Sequence, residues 1–262
     1  MQEEVHRWRG SAEERAQRPT SRKSGQFAYF DAQLGHPDWR GKAVLDFGGN
    51  DGSLLQDPGC AIDPRDYTSV DVIREALEEG RARYPQARWV HYDRYNPSFN
   101  PGGIASLPIP KIGDGFGVIL AYPVFTHTTR EDMHELVGQL RSQLKPGGVL
   151  AFTFIDHRWE SWPGTPAGSN LRWRLERFRD HDPALDVDAL LARSEGAQWC
   201  ALVDGRELYA ESNGAWVEGA PACISYHVYY TAAFMRNEFP GAIVRPPVNG
   251  EMQHCCILGR ES

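Results

Sequence analysis

The sequence has no C-x-x-C pair, no apolar run of membrane-spanning length, no internal repeat and no low-complexity tract. Each absence removes a class of protein. The cysteines are Cys60, Cys200, Cys223, Cys255 and Cys256, an odd count in a chain of 262 residues. That argues against a disulfide framework or a zinc site, and for reduced thiols in a cytoplasmic protein. Positive charge is scarce as well: 28 Lys and Arg stand against 35 Asp and Glu, a net charge of −7. An acidic protein is repelled by phosphate backbones and anionic headgroups, so nucleic acid and membrane are excluded as expected partners. The first 23 residues are rich in Arg and Glu and lack the apolar segment of a secretory signal.

What is present is 41% hydrophobic, enough for one large α/β domain. Residues 1–24 are polar and read as a mobile arm. Phe27, Tyr29, Phe30 and Leu34 then recur at near-helical spacing before Gly35 and Pro37. From residue 42 short apolar runs alternate with amphipathic stretches. Strands are predicted at Ala43–Phe47, Tyr67–Val70, Arg88–Tyr92, Phe116–Ala121 and Val149–Ile155. Helices are predicted at Val72–Tyr84 and Arg130–Leu144, the second stopped by Lys145-Pro146-Gly147-Gly148. This rhythm predicts a Rossmann-like, doubly wound, mostly parallel sheet of seven strands, the last antiparallel.

The rhythm breaks at residue 157. Residues 157–222 read as an insertion that forms an acceptor pocket. It holds a hairpin, Trp199–Val203 and Arg206–Ala210, joined by an Asp204-Gly205 turn. The core then resumes over 223–262, with a strand near Ile224–Tyr230, a helix Thr231–Phe239, and strands Ala242–Arg245 and Gln253–Gly259. The core proper is expected over 25–156.

The first strand runs into Gly48-Gly49-Asn50-Asp51-Gly52. Glycines there allow a tight turn and close approach of a ligand to the main chain. A helix starting near Ser53-Leu54-Leu55 would add unpaired N–H groups. Asp71 ends the second strand, where a carboxylate can accept from both ribose hydroxyls of an adenosine cofactor. Asp93 follows the third strand and could meet the adenine amino group. Asp46 stands where a dinucleotide fold would place a pyrophosphate, and an acid there suits a cationic ligand instead. The G-x-x-x-G spacing also fails the dinucleotide fingerprint.

Val44-Leu45-Asp46-Phe47-Gly48-Gly49-Asn50-Asp51-Gly52, Ser69-Val70-Asp71, Tyr92-Asp93, Tyr122-Pro123-Val124-Phe125-Thr126-His127 and Leu144-Lys145-Pro146-Gly147-Gly148-Val149-Leu150 together resemble class I S-adenosylmethionine (SAM) dependent methyltransferases. The likeness is to bacterial enzymes of natural-product and small-molecule biosynthesis, and Tyr226-His227 and Gln253-His254 resemble their tail. It covers about residues 40–156 and 224–260. It implies a cofactor site of Asp46, Gly48, Gly49, Asn50, Gly52, Asp71, Val72, Tyr92, Asp93, Ala121 and Tyr122, with Tyr29 closing over it. The family usually has glycine where Asn50 stands; Asn is the side chain best able to take positive φ there.

Methyl transfer to a phenol or alcohol profits from a general base, whereas a neutral amine needs none. His227, His127 and His157 are the candidate bases; taken singly, each reads more readily as a packed or solvated histidine, and one of the three, His227 leading, is expected to line the acceptor site. Tyr122, Phe125, Trp159, Trp162, Tyr226, Tyr229 and Tyr230 suit an apolar acceptor pocket or ordinary packing. The arginines of Leu171–Arg179 form either a solvated helix face or a contact for an anionic acceptor or an acidic carrier protein. No acid follows strand four, so no metal is expected. The expected function is methyl transfer to O, N or C of a small molecule. The alternatives are a SAM-fold enzyme catalysing another reaction and a non-catalytic SAM-binding regulator.

Overall fold

A computed structural model describes residues 25–96, 99–159, 171–172, 176, 183–184, 186–193, 198–202, 210–212 and 226–260. The expected arm, residues 1–24, lies outside them, as does most of the insertion. Strands β1 (Val44–Phe47), β2 (Tyr67–Asp71), β3 (Arg88–His91), β4 (Phe116–Ala121) and β5 (Leu144–Asp156) pair in parallel in the order β3-β2-β1-β4-β5. Every residue of β1 and β2 is buried, as expected when helices cover both faces of a parallel sheet. Two strands near the carboxyl terminus, β9 (Ile243–Arg245) and β10 (His254–Gly259), complete the seven. β10 runs antiparallel to β5, with His254 opposite Phe154 and Cys255 opposite Thr153. The expected fold class is the observed one.

Three more strands extend the sheet at the tip of β5. β8 (Tyr226–Tyr230) runs parallel to Ile155 and Asp156 only, and its other edge carries the hairpin of β6 (Gln198–Leu202) and β7 (Ala210–Ser212). The hairpin pairs Cys200 with Ala210, one residue off the register that a two-residue Asp204-Gly205 turn imposes. Residues 203–209, which hold the turn, lie outside the described set.

Helix α1 (Gln26–Gln33) packs on one face of the sheet, and α3 (Arg130–Ser142) on the other. In α3, Met133, Leu136, Val137 and Leu140 supply the apolar stripe. Thr129 caps it by accepting from the Asp132 N–H at 3.0 Å. Helix α2 (Arg74–Arg83) buries Ala76, Leu77 and Gly80. Of the short helices α4 (Val187–Arg193) and α5 (Ala232–Glu238), the second is capped by Thr231, which accepts from the Phe234 N–H.

Two expectations need correction. No helix follows the glycine turn. Successive 3₁₀-type bonds, such as Leu55 N–H to Gly52 O (3.0 Å) and Cys60 N–H to Asp57 O (3.1 Å), carry the chain to β2 as a run of turns. Gly52, Ser53, Asp57, Pro58 and Gly59 all disfavour a helix interior, which accounts for it. The second correction concerns Lys145–Gly148, which lies inside β5 rather than between helix and strand. Phe116 pairs with Leu144, but Val118 pairs with Val149, so the extra residues bulge out of the ladder.

Candidate functional site

A cavity of about 230 Å³ opens at the carboxyl edge of β1, β2, β3 and β4. Gly48, Asn50, Asp71, Val72, Tyr92, Tyr122 and His127, all expected at the site, line it. Around them stand Val124 of the Tyr122–His127 motif and Arg94, Asn96, Thr128, Asp132 and Leu136, which were not expected at the site from the sequence.

The glycine turn forms the cavity's floor. Gly48 has φ +79°, and its N–H donates to Val70 O at 2.7 Å. A Cβ there would lie 2.4 Å from Val124 Cγ2, so this position has neither the angle nor the room for a side chain. Asn50 takes φ +51°, the left-handed conformation expected of it. Its N–H donates to Asp71 Oδ2 at 2.8 Å, while the Ile73 N–H donates to Oδ1 at 2.8 Å. Asp71 is thus clamped between the turn and the start of α2. Burial raises its pKa above the ordinary carboxylate value, and the backbone N–H donors from Ile73, Asn50 and Val72 oppose that rise.

Other expected residues sit behind this floor. Asp46 is 2% exposed and accepts from Tyr67 OH at 2.6 Å. Burial pushes its pKa up to about 7, the Tyr67 hydrogen bond lowers it, and the charge of Asp71 adds to the rise. Asp46 supports the turn from beneath: a Cβ on Gly49 would lie 2.8 Å from its carboxylate. Gly52, with φ +78°, leaves room for the Trp89 ring, which a Cβ would meet at 2.7 Å. Ala121 is fully buried at the end of β4. Asp93 is outside the cavity lining, and its Oδ1 accepts from Asn100 Nδ2 at 2.9 Å.

Tyr29 is fully buried, its OH donating to Gln253 O at 2.9 Å and its ring 5.6 Å from that of Tyr122. Tyr122 in turn donates to Glu251 Oε2 at 2.7 Å. Helix α1 is held here by Asp57, whose carboxylate accepts from the Gly25 N–H (2.6 Å) and the Phe27 N–H (2.5 Å). Gly25 has no side chain to cap the helix, so the turn region supplies the cap. The far wall is an ion-pair network. Arg94, 5% exposed, donates to Asp132, Glu135 and Leu107 O. Burial works against its charge, and its bonds to Glu135, Tyr92 and Asp132 outweigh that.

The histidines separate. His127 lines the cavity, with its ring edge-on to Phe99 at 5.2 Å. His157 is buried in the turn after β5, away from the lining. His227 lies on β8 opposite Ala201, and its side chain is outside the described set. A histidine not chosen from the sequence, His254, occupies the start of β10. It is 3% exposed, against Phe154 (5.3 Å) and the edge of Trp159 (5.2 Å), and its Nδ1 has no hydrogen-bond partner. Burial pushes its pKa down to about 4; Asp156 opposes this and Arg236 adds to it. Thr153 Oγ1, opposite Cys255 and on the other face of the sheet, and Gln253 Oε1, just before β10, are also buried without partners among the described residues. An isolated His in an apolar strand gives no sequence signal beyond its place in the family-like tail.

Among the described residues no three His, Cys, Asp or Glu are grouped to hold a metal, and no helix is long and apolar enough to cross a membrane. Of the arginine-rich stretch, Arg172 is described and pairs with Asp188 at 2.7 Å and Glu176 at 3.7 Å.

Residues 45–150 match the family model of a methyltransferase domain. No curated protein matches the sequence. A glycopeptide N-methyltransferase, MtfA, solved with sinefungin, shares the fold at 13% identity and a TM-score of 0.50, over 90% of this chain and 93% of that one. DesVI of Streptomyces venezuelae is more distant, with 15% identity over 88% and 91% of the two chains and a TM-score of 0.44. A SAM-dependent methyltransferase of Mesorhizobium loti has 13% identity over 89% and 97%, with a TM-score of 0.47.

Proposed function

Residues 45–150 match the family model of a methyltransferase domain, and from that premise we propose that the protein moves a methyl group from SAM to an O, N or C atom of a small molecule, in bacterial secondary metabolism and in the cytoplasm. One observation carries the cofactor reading: the Asp71 carboxylate lines the cavity while the Asn50 N–H at the glycine turn fixes its orientation. A rigid acid at that place suits a vicinal diol. An acid buried beneath the turn, as Asp46 is, disfavours a pyrophosphate more than a cationic sulfonium ligand.

SAM, when bound, supplies an activated methyl on a leaving sulfur. The protein's part is alignment and exclusion of water. Gly48 and Asn50 give the main-chain approach, Asp71 holds the ribose, and Val72 and Tyr92 border the base. Tyr122, fixed to Glu251 and packed under α1, closes the side toward β5. The acceptor then lies beyond Tyr122, on the side toward the carboxyl end of β5. His127, which lines the cavity, is the described candidate base nearest that path. The intrachain pairing of Arg172 favours a small acceptor over an acidic carrier protein.

The test combines two measurements. Calorimetry with S-adenosylhomocysteine (SAH) and with NAD should show binding of SAH alone. Incubation with methyl-labelled SAM and a panel of amines, phenols and sugars should yield SAH and a labelled product. SAM binding with no transfer across the whole panel would favour a regulator; NAD binding without SAH binding would sink the cofactor reading.

A further inference from the structure

One group at the glycine turn has no task so far. Asn50 lines the cavity, whereas its neighbours Gly49 and Asp51 do not. Its main-chain polar groups both turn to β2: the N–H donates to Asp71 Oδ2 at 2.8 Å, and the carbonyl accepts from Ser69 Oγ at 3.5 Å. The side chain is therefore the part of Asn50 left to meet the cavity. Its rotation is fixed as well, because Oδ1 accepts from the Asp51 N–H at 2.9 Å. That bond needs an oxygen, which puts the amide nitrogen at the free end. Asn50 Nδ2 has no hydrogen-bond partner among the described residues, and it is open to solvent rather than sealed in the protein. Glycine takes a φ of +51° at less cost than asparagine, so the backbone angle alone does not call for this side chain.

We propose, resting on the SAM reading, that Asn50 Nδ2 donates to the oxygen of a ribose hydroxyl whose proton goes to Asp71. The two side chains then read one hydroxyl as donor and acceptor together. The Asn50 N–H touches Asp71 Oδ2, and both residues line the cavity, so the amide and the carboxylate border the same small volume. A hydroxyl gives one proton and accepts another, which satisfies both neighbours at once. The amino-acid carboxylate of the cofactor is a poorer partner for this amide. It is anionic, and a second carboxylate beside Asp71 is repelled where a neutral hydroxyl is not.

The experiment is calorimetry of the full chain and its Asn50→Gly and Asn50→Asp variants. The ligands are SAH, its 2′-deoxy and 3′-deoxy analogues, and 5′-methylthioadenosine, which lacks the amino-acid end. Asn50→Gly should weaken SAH binding by about 5- to 10-fold, the worth of one neutral hydrogen bond. Methylthioadenosine should show the same loss. One of the two deoxy analogues should bind the wild type and Asn50→Gly equally, because the oxygen that Nδ2 meets is gone. Asn50→Asp keeps an oxygen for the Asp51 N–H and tolerates the left-handed angle, but has no N–H to give. It should lose at least as much affinity for SAH. A loss for SAH without one for methylthioadenosine would move the amide to the amino-acid end. An equal loss for all the ligands would make Asn50 a support of the turn alone. Either result, or SAH binding unchanged in both variants, overturns the assignment. A wild type that binds none of the ligands removes the SAM reading itself, and the assignment with it.

Discussion

The carboxyl edge of the sheet has two halves, and they are finished to different degrees. From β1 to β4 the polar groups hold one another: Asp71 by Asn50 and Ile73, Asp46 by Tyr67, and Arg94 by Asp132 and Glu135. The buried Thr128 Oγ1 and the open Asn50 Nδ2 are the exceptions. From β5 to β10 the buried Thr153, Gln253 and His254 carry polar atoms with no partner. The first half is preorganised by these bonds. Among the described residues the second half leaves these buried groups unsatisfied, with Thr153 and His254 on opposite faces of the sheet. The halves also differ in sign. Burial favours the protonated, neutral form of an acid in the first and the deprotonated, neutral form of an imidazole in the second.

The largest way to break the first half is Gly48→Ala. Positive φ costs a non-glycine residue about 1–2 kcal/mol, and the contact with Val124 adds overpacking of about 1–3 kcal/mol. Calorimetry should show a melting temperature lower by roughly 5–15 °C, and no SAH binding. Next is Asp71→Asn. An amide keeps one acceptor but turns its nitrogen toward one of two backbone donors. SAH affinity should fall about 10- to 100-fold, the range for hydrogen bonds to a charged group. A change below 3-fold in Asp71→Asn would remove the ribose assignment.

Much of the first half was legible in the sequence, and the reason is local. Gly48, Asn50, Asp71 and Tyr92 occupy strand ends, and strand ends follow from short apolar runs bounded by turns. Thus Phe116–Ala121 emerged with its bounds intact. What failed to show was set by distant contacts. A helix after Gly52 was expected from the fold's habit, but the chain between β1 and β2 is anchored instead through Asp57 to α1. Asp93 had the expected position along the chain, yet Asn100, seven residues on, takes its carboxylate. Lys145–Gly148 reads as a helix stop and also serves as a strand bulge; only the pairing with β4 distinguishes the two. His254 looks like any strand residue until β5 brings Phe154, and the following turn Trp159, against it. The half from β5 to β10 depends on such pairings across β5, β8 and β10, and a period-2 pattern carries no information about which strands meet.

Asp46 tests the sign of the first half. Its folded-state pKa of about 7 stands above the ordinary value near 4, so the folded state holds a proton that the unfolded chain has lost between those limits. Stability from this group is therefore full below about pH 4 and declines as pH rises to about 7, by an amount on the order of 4 kcal/mol. Asp71, raised in the same direction, adds to the decline. Asp46→Asn keeps an oxygen for Tyr67 OH and does not ionise. Its urea-unfolding free energy relative to wild type should rise from pH 4.5 to pH 8; a constant difference would show that Asp46 is ionised throughout.

His254 reverses that slope and gives the smallest effect. Its folded-state pKa of about 4 lies below the ordinary imidazole value of about 6.5. Between those limits the unfolded chain binds the proton and the folded one does not, so stability is lost as pH falls, by on the order of 3 kcal/mol. Two charges face the ring from the packed elements: Asp156 at the end of β5 favours the imidazolium, and Arg236 on α5 disfavours it. Asp156 is itself spent on the Arg158 and Ala232 N–H groups, at 2.8 Å each, which leaves burial dominant. Replacing His254 by Asn should flatten the acid limb of the stability profile between pH 6.5 and 4. SAH affinity should stay within about 2-fold of wild type, because His254 lies outside the cavity lining. Parallel acid limbs would mean a ring that stays charged, and the contrast between the two halves would then rest on hydrogen-bond partnership alone.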